Sequence, residues 1–456
     1  MSRLEFPDKF IFGSSVSAYQ VEGSGGTRRG DWDEYLTRRP YEIIRPGERG
    51  PDWWTPGRAE SDLRMLSKLG LSMQRLGIEW ARIEPEEGVM NEEAVIRYRH
   101  ILDSMKKLGM TPMITLSHFV LPSWIAAQGG WQNPKTVGYF VRFIKTVVRE
   151  FPEIKYWIVM NEPSILLLLG NVIGYFPPFG RNYLQFILAR HNMIKAMREG
   201  YAAIKEKIPD SHVGNAFSFS WMRPHAHDSS LELLLTRVTN YILNTNYVNA
   251  TEGAMDFLGV NFYTGYYIEF HPTKFGFSVQ KDASVLRASL PLSIAIRPSA
   301  YRSDWGWPIV PDFFTHLLVT MHKRYKKPII VTENGIADRE DTYRSFYTLS
   351  HLVAMWRAIQ LGADIRGYLH WSGIDNLEWN EGYQKRFGLI KVDHFTGERT
   401  TRHSAGVLKD IATSGEINIE ALIKKYVPEP QHQTARRITD QLLHDPRGHH
   451  VRCTYR

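Results

Sequence analysis

The chain has 456 residues, a formal net charge of +8 and a pI of about 9.2. Its Lys and Arg residues are spread along the sequence and form no stripe. This argues against a nucleic-acid surface and for a solvated basic exterior. The single cysteine, Cys453, excludes an internal disulfide. No apolar segment of signal-peptide length follows Met1, and the run Ile165–Leu169 is too short to span a bilayer. The expectation is a cytoplasmic protein without nucleic-acid or membrane partners, whose oligomeric state the sequence leaves open.

Along the chain a short β-rich run recurs, followed by a loop and a longer amphipathic stretch. The run at 10–15 comes first, then one at 73–79. Tyr98, Ile101, Leu102, Met105 and Leu108 keep helical spacing and stop at Gly109, and the strand-like Pro112–Ser117 follows at once. Asn133 can cap the next helix and Pro134 suits its first turn. Val137, Phe140, Val141, Ile144, Val147, Val148 and Phe151 mark its apolar face. Further strand runs lie at 155–160, 212–218, 256–262, 328–333 and 365–371. Eight strands alternating with helices predict α/β architecture, a single (β/α)8 TIM barrel with long βα loops over residues 1–427. A doubly wound sheet would need a phosphate-binding turn after its first strand. Gly23-Ser-Gly-Gly26 is a poor candidate, because no Lys-Ser/Thr and no apolar helix follow it. From Val427-Pro-Glu-Pro430 onward the sequence turns polar, and residues 428–456 read as a flexible or loosely docked tail in which His449-His450 is solvated.

In a parallel barrel, functional groups gather at the C-terminal ends of the strands. Those positions hold Gln20, Arg75, His118, Asn161 with Glu162, Asn261 with Tyr263, Glu333 and Trp371. The set contains two carboxyls, a cation, amides, a His, a Tyr and a Trp. It shows no metal-ligand spacing and no nucleotide cradle, so neither metal nor cofactor is expected. Cleavage of a glycosidic bond needs one protonated and one ionised carboxyl, and two carboxyls in one dry pocket push their pKa values apart.

Four separated stretches resemble glycoside hydrolase family 1. Phe10–Ser24 is similar to its N-terminal signature and Asn161-Glu-Pro163 to its acid/base motif. Val331-Thr-Glu-Asn-Gly335 is similar to its nucleophile motif. Gly367–Trp379, continuing to Arg386-Phe-Gly-Leu389, is similar to its sugar-gripping loop. The resemblance implies a retaining β-glycosidase with Glu162 as acid/base and Glu333 as nucleophile, supported by Arg75, Asn261 and Tyr263. It also implies that Gln20, His118, Asn161, Glu378 and Trp379 hydrogen-bond the sugar and that Trp371 forms its floor. A carboxylate at Glu378 suits neutral glucosides, galactosides or fucosides and would repel a 6-phosphate. A transglycosylase would share every one of these residues, and an inactive sugar- or protein-binding barrel would have lost one of the glutamates.

Two local features depart from the family pattern. Met160 stands where a polar residue is common and makes the acid's surroundings more apolar. The run Ser164–Gly170, continuing to Tyr175-Phe-Pro-Pro178, is unusually apolar. It reads either as a buried helix start or as an apolar site for the leaving group. The segment 279–303 has no reading.

Overall fold

Apolar runs buried on both faces are what a closed parallel sheet demands, and eight of them pair side by side. In the computed structural model they are β1 (Ile11–Ser15), β2 (Met73–Gly77), β3 (Thr111–Thr115), β4 (Tyr156–Asn161), β5 (His212–Ser218), β6 (Phe257–Asn261), β7 (Ile329–Asn334) and β8 (Ile365–Trp371). Every neighbour is parallel and the barrel closes in chain order, with β8 against β1. The structure describes residues 3–23, 25–26, 30–226, 228–268, 294–295 and 301–444.

Two apolar layers hold the barrel. Its interior is filled by Met73, Met113, Ile158, Ala216, Phe257, Ile330 and Leu369. A larger cluster lies between the strands and the surrounding helices. The helix expected before Gly109 spans Glu92–Lys107, capped by Asn91 Oδ1 accepting from Ala94 N. The next spans Lys135–Glu150, with Pro134 at the cap position. Asn133 stands one residue earlier than expected and accepts from Lys135 N at 3.0 Å.

Three features exceed the sequence reading. Beyond the ends of β5 and β6, Trp221–Pro224, Gly265–Ile268 and Ile294–Ala295 form a small separate sheet. Leu4–Glu5 pairs antiparallel with Glu416–Ile417, joining the start of the chain to the segment after the last barrel helix. The expected flexible tail is corrected over its first part. His432–His444 is a helix with Ala435, Ile438, Thr439 and Leu442 buried, packed against the helix Arg344–Gln360. Apolar residues at a spacing of three to four among Gln and Arg are what the polar composition concealed. His449, His450 and Cys453 lie outside the described residues, as does most of 279–303. Among the described residues no helix is long and apolar enough to cross a membrane, and no group of three or more His, Cys, Asp or Glu could hold a metal ion.

Candidate active site

The ends of β2, β4, β6 and β7, with the residues just after them, bring six side chains into one hydrogen-bonded chain. Arg75, fully buried on β2, donates from Nη1 to Glu333 Oε1 at 2.6 Å and from Nη2 to Asn161 Oδ1 at 2.7 Å. Asn261 on β6 donates from Nδ2 to Asn161 Oδ1 at 3.1 Å and to Glu162 Oε1 at 2.8 Å. Tyr263 donates its hydroxyl to Glu333 Oε2 at 2.5 Å. Glu162 and Glu333, separated by a third of the sequence, thus face one buried gap.

The two carboxyls differ in company. Burial raises the pKa of Glu162, the nearby Glu333 raises it further, and the hydrogen bond from Asn261, the charge of Arg75 and the hydrogen bond from Ser218 only partly oppose this, leaving it at about 8. Burial also raises Glu333, but there a full cation, Arg75, and the Tyr263 hydroxyl oppose it. A carboxylate prefers a direct ion pair with a charge-assisted hydroxyl bond to neutral amide and hydroxyl donors without one. The shared proton therefore rests on Glu162 and the negative charge on Glu333. Glu162 also holds φ 43° and ψ 55°, a left-handed backbone uncommon outside glycine, at the cap of the helix Pro163–Leu167.

His118, at the end of β3, accepts at Nε2 from Asn161 Nδ2 at 3.2 Å, since Asn161 Oδ1 already faces Arg75 and Asn261. Its proton therefore sits on Nδ1, which is buried and has no hydrogen-bond partner among the described residues. Burial first, and the charge of Arg75 second, push the pKa of His118 well down, so the ring is neutral. Trp371 and Trp379 stack near it, with ring centroids at 6.0 and 6.1 Å.

The loop after β8 supplies the remaining polar groups. Arg402 grips Asp375 with both terminal nitrogens, at 2.9 and 2.8 Å, and Asp375 Oδ1 also accepts from Gly388 N. Burial works against the Asp375 charge, but Arg402 holds it below the usual carboxylate range. That anchor fixes the turn carrying Asn376, Leu377 and Glu378. From the other side Gln20 Nε2 donates to Leu377 O at 2.6 Å and to Glu378 Oε2 at 3.4 Å. Glu378 has no cation partner in this set. Burial, then Glu333, Glu381 and Glu162, raise its pKa well above the carboxylate range.

The structure brings together all eleven residues singled out in the sequence. It adds Thr115, whose hydroxyl accepts from Arg75 Nε at 2.9 Å, and Thr332, whose hydroxyl donates to Asn261 Oδ1 at 2.7 Å. A hydroxyl inside an otherwise apolar strand, as in Met-Ile-Thr and Ile-Val-Thr, was the available signal. Phe119 was also missed. Its ring packs on Trp379, with centroids 5.2 Å apart.

Gly335 shows how tightly β7 and β8 close on this site. A Cβ there would lie 1.7 Å from the Trp371 carbonyl oxygen, which is backbone and cannot rotate away. Gly335→Ala is expected to cost about 3 kcal/mol or more and to depress kcat by displacing Glu333 and Trp371. Thermal melting and initial rates check this, and an unchanged melting temperature would contradict the close approach.

Two carboxyls of opposite protonation, flanked by buried hydrogen-bonding side chains at the mouth of a (β/α)8 barrel, fit a glycoside hydrolase. The comparisons carry the assignment further. Residues 2–251 and 240–417 match the profile of Glycosyl hydrolase family 1, and the chain belongs to that family. It is 27% identical to beta-glucosidase A of Thermotoga maritima, over 89% of this chain and 97% of that one. It is 32% identical to the chloroplastic galactolipid galactosyltransferase SFR2 of Arabidopsis thaliana, over 78% of this chain and 57% of that one. Among solved structures it matches a beta-glycosidase from Pyrococcus horikoshii with a TM-score of 0.81 and 30% identity, over 94% of this chain and all of that one.

Proposed function

We propose that the protein is a retaining β-glycosidase that removes terminal, neutral β-D-glycosyl residues by double displacement. The observation that carries this reading is the asymmetry between Glu162 and Glu333 across one gap: an amide faces the first, and Arg75 and Tyr263 face the second. Glu333 attacks the anomeric carbon while Glu162 gives its proton to the leaving oxygen. Glu162, now ionised, then takes a proton from the water that releases the sugar. Retention needs carboxyls about 5–5.5 Å apart, close enough for one anomeric carbon to meet both. The Nδ1–H of His118, the Asn161 amide, Gln20 and Glu378 offer donors and acceptors to the sugar hydroxyls, and Trp371 offers its ring to the sugar face. Glu378 carries acceptor oxygens and no cation, which favours neutral hydroxyls over a phosphate.

A panel of 4-nitrophenyl β-glycosides tests the reading. Turnover is expected on neutral glucoside, galactoside or fucoside, with none on the 6-phosphoglucoside. Efficient cleavage of the phosphosugar would refute the proposed role of Glu378. Extending the panel addresses the leaving group. Leu166 and Leu167 are buried and line a cavity of about 350 Å³ shared with Phe119 and Trp131, whereas Ile165, Leu168 and Leu169 remain half-buried just beyond Glu162. The buried pair fits a buried helix start, and the half-buried three are the side chains that the leaving-group reading concerns. The half-buried ones favour aryl and alkyl glucosides over cellobiose, and equal kcat/KM for the two classes would remove that preference. Transfer to a sugar hydroxyl in place of water uses the same intermediate. The likeness to the plant galactosyltransferase favours testing it, by product analysis at high acceptor concentration.

A further inference from the structure

After β5 and the strand Trp221–Pro224, the chain forms a helix, Ser230–Asn240, continued without a break by Tyr241–Thr245. Its faces are largely reversed relative to an ordinary surface helix, which buries apolar residues and shows polar ones, although Leu235 and Leu243 pack inward on Met222, Tyr266 and Ile268. Towards the protein it turns Glu232, Thr236, Thr239, Asn240, Asn244 and Thr245, all buried. Asn240 exchanges two bonds with the Met222 backbone, at 3.0 and 2.9 Å, and Asn244 Nδ2 donates to Ser220 O at 3.2 Å. Towards solvent it shows Leu231, Leu234, Val238, Tyr241 and Ile242, each 40 to 57% exposed.

The helix Tyr183–Lys207 adds a second apolar surface. In its first two turns Tyr183, Leu184, Ile187 and Leu188 are 47 to 73% exposed. Arg190 Nη2 donates to Asn246 Oδ1 at 2.8 Å and Arg198 Nε to Ala250 O at 2.9 Å. The helix Tyr183–Lys207 therefore lies beside Asn246–Thr251, which continues the other segment, and the apolar turns precede this contact in both. The two segments follow β4 and β5 through long connections, so their first turns lie on the C-terminal side of the barrel, which carries the mouth.

Cations predominate around these turns, although Asp228 precedes the second helix and Glu199 pairs with Lys195 at 3.7 Å. No Asp or Glu occurs between Arg181 and Arg198, a stretch that also carries Arg190 and Lys195, and the exposed Arg237 sits among the apolar residues of the other helix. Its neighbour Glu232 points inward, accepting from Ala226 N. A contiguous apolar surface in water marks an interaction site. Cations and tyrosines at its margin match the interface of an anionic bilayer, where an amphipathic helix buries its apolar face and lipid phosphates meet Lys and Arg.

We propose that the two helices dock the protein on an anionic lipid surface with the rim of the active-site mouth at the bilayer. This revises the expectation that no membrane takes part and that the basic balance is only a solvated exterior. The docking is independent of which sugar is cleaved.

The test is flotation of the full chain with vesicles of phosphatidylcholine, alone or mixed equally with phosphatidylglycerol, at low and high salt. The expected result is binding to the mixed vesicles that weakens with salt. It should fall roughly tenfold or more in the double variants Leu234→Gln/Ile242→Gln and Ile187→Gln/Leu188→Gln, with melting temperatures unchanged. Absence of flotation with anionic vesicles overturns the proposal. So does flotation undiminished in both double variants. Sedimentation showing that these substitutions split an oligomer that does not float also overturns it, and assigns the surface to a second copy.

Discussion

Glu333→Gln is expected to lower kcat by on the order of 10⁴- to 10⁶-fold, as removal of a covalent nucleophile does elsewhere, with KM little changed. The amide keeps the shape of the carboxyl but cannot attack. The proton on Glu162 then has no bond cleavage to assist. Small anions separate the two glutamates. With Glu333→Ala and azide, azide occupies the nucleophile's place and the product is the α-glycosyl azide. With Glu162→Ala, an activated aryl glycoside still forms the intermediate, which azide intercepts to give the β-glycosyl azide. Arg75 and Tyr263, at 2.6 and 2.5 Å from Glu333, are the reason for this assignment of roles. Exchanged stereochemistry between the two variants would reverse it, and a wild-type rate in Glu333→Gln would end the double-displacement reading.

The barrel was legible because its strands are nearly continuous apolar runs separated by helical periods. The runs at 212–218 and 365–371 coincide with β5 and β8 residue for residue. Others slid by one or two residues at their ends. At Ile78 and Glu79, for example, the apolar pattern runs on while the chain turns towards the helix Trp80–Ile83. The site was legible for a related reason. A barrel collects the residues that follow its strands, so Arg75, Asn161, Glu162, Asn261 and Glu333 could be grouped without knowing a single distance. Three kinds of information were hidden. The chain of bonds through Asn161 Oδ1 is a tertiary fact with no local signature. The helix His432–His444 buries only a narrow apolar stripe among polar residues, and composition averages that away. The reversed helix Ser230–Asn240 has helical periodicity, but periodicity does not say which face the protein keeps for itself.

Glu162→Gln is expected to inactivate the enzyme towards poor leaving groups while stabilising the fold, and the stabilisation should depend on pH. In the folded protein Glu162 keeps its proton up to about pH 8, against an ordinary value of 4.5. Below the ordinary value both folded and unfolded chains hold the proton, and burial carries no ionisation cost. As pH rises above it the unfolded chain ionises freely and the folded one does not, so wild-type stability falls until the folded pKa is passed. Glutamine has no proton to lose, so the variant escapes that fall. Its advantage in unfolding free energy should be near zero at about pH 4 and reach on the order of a few kcal/mol by about pH 8. Glu333→Gln should behave oppositely, because it leaves the buried Arg75 cation without its carboxylate partner, and a broken buried pair is destabilising. Thermal melts of both variants and wild type across this range provide the measurement. A difference between Glu162→Gln and wild type that stays flat with pH would mean that Glu162 is ionised in the folded protein. The proton required for leaving-group departure would then have to come from another group.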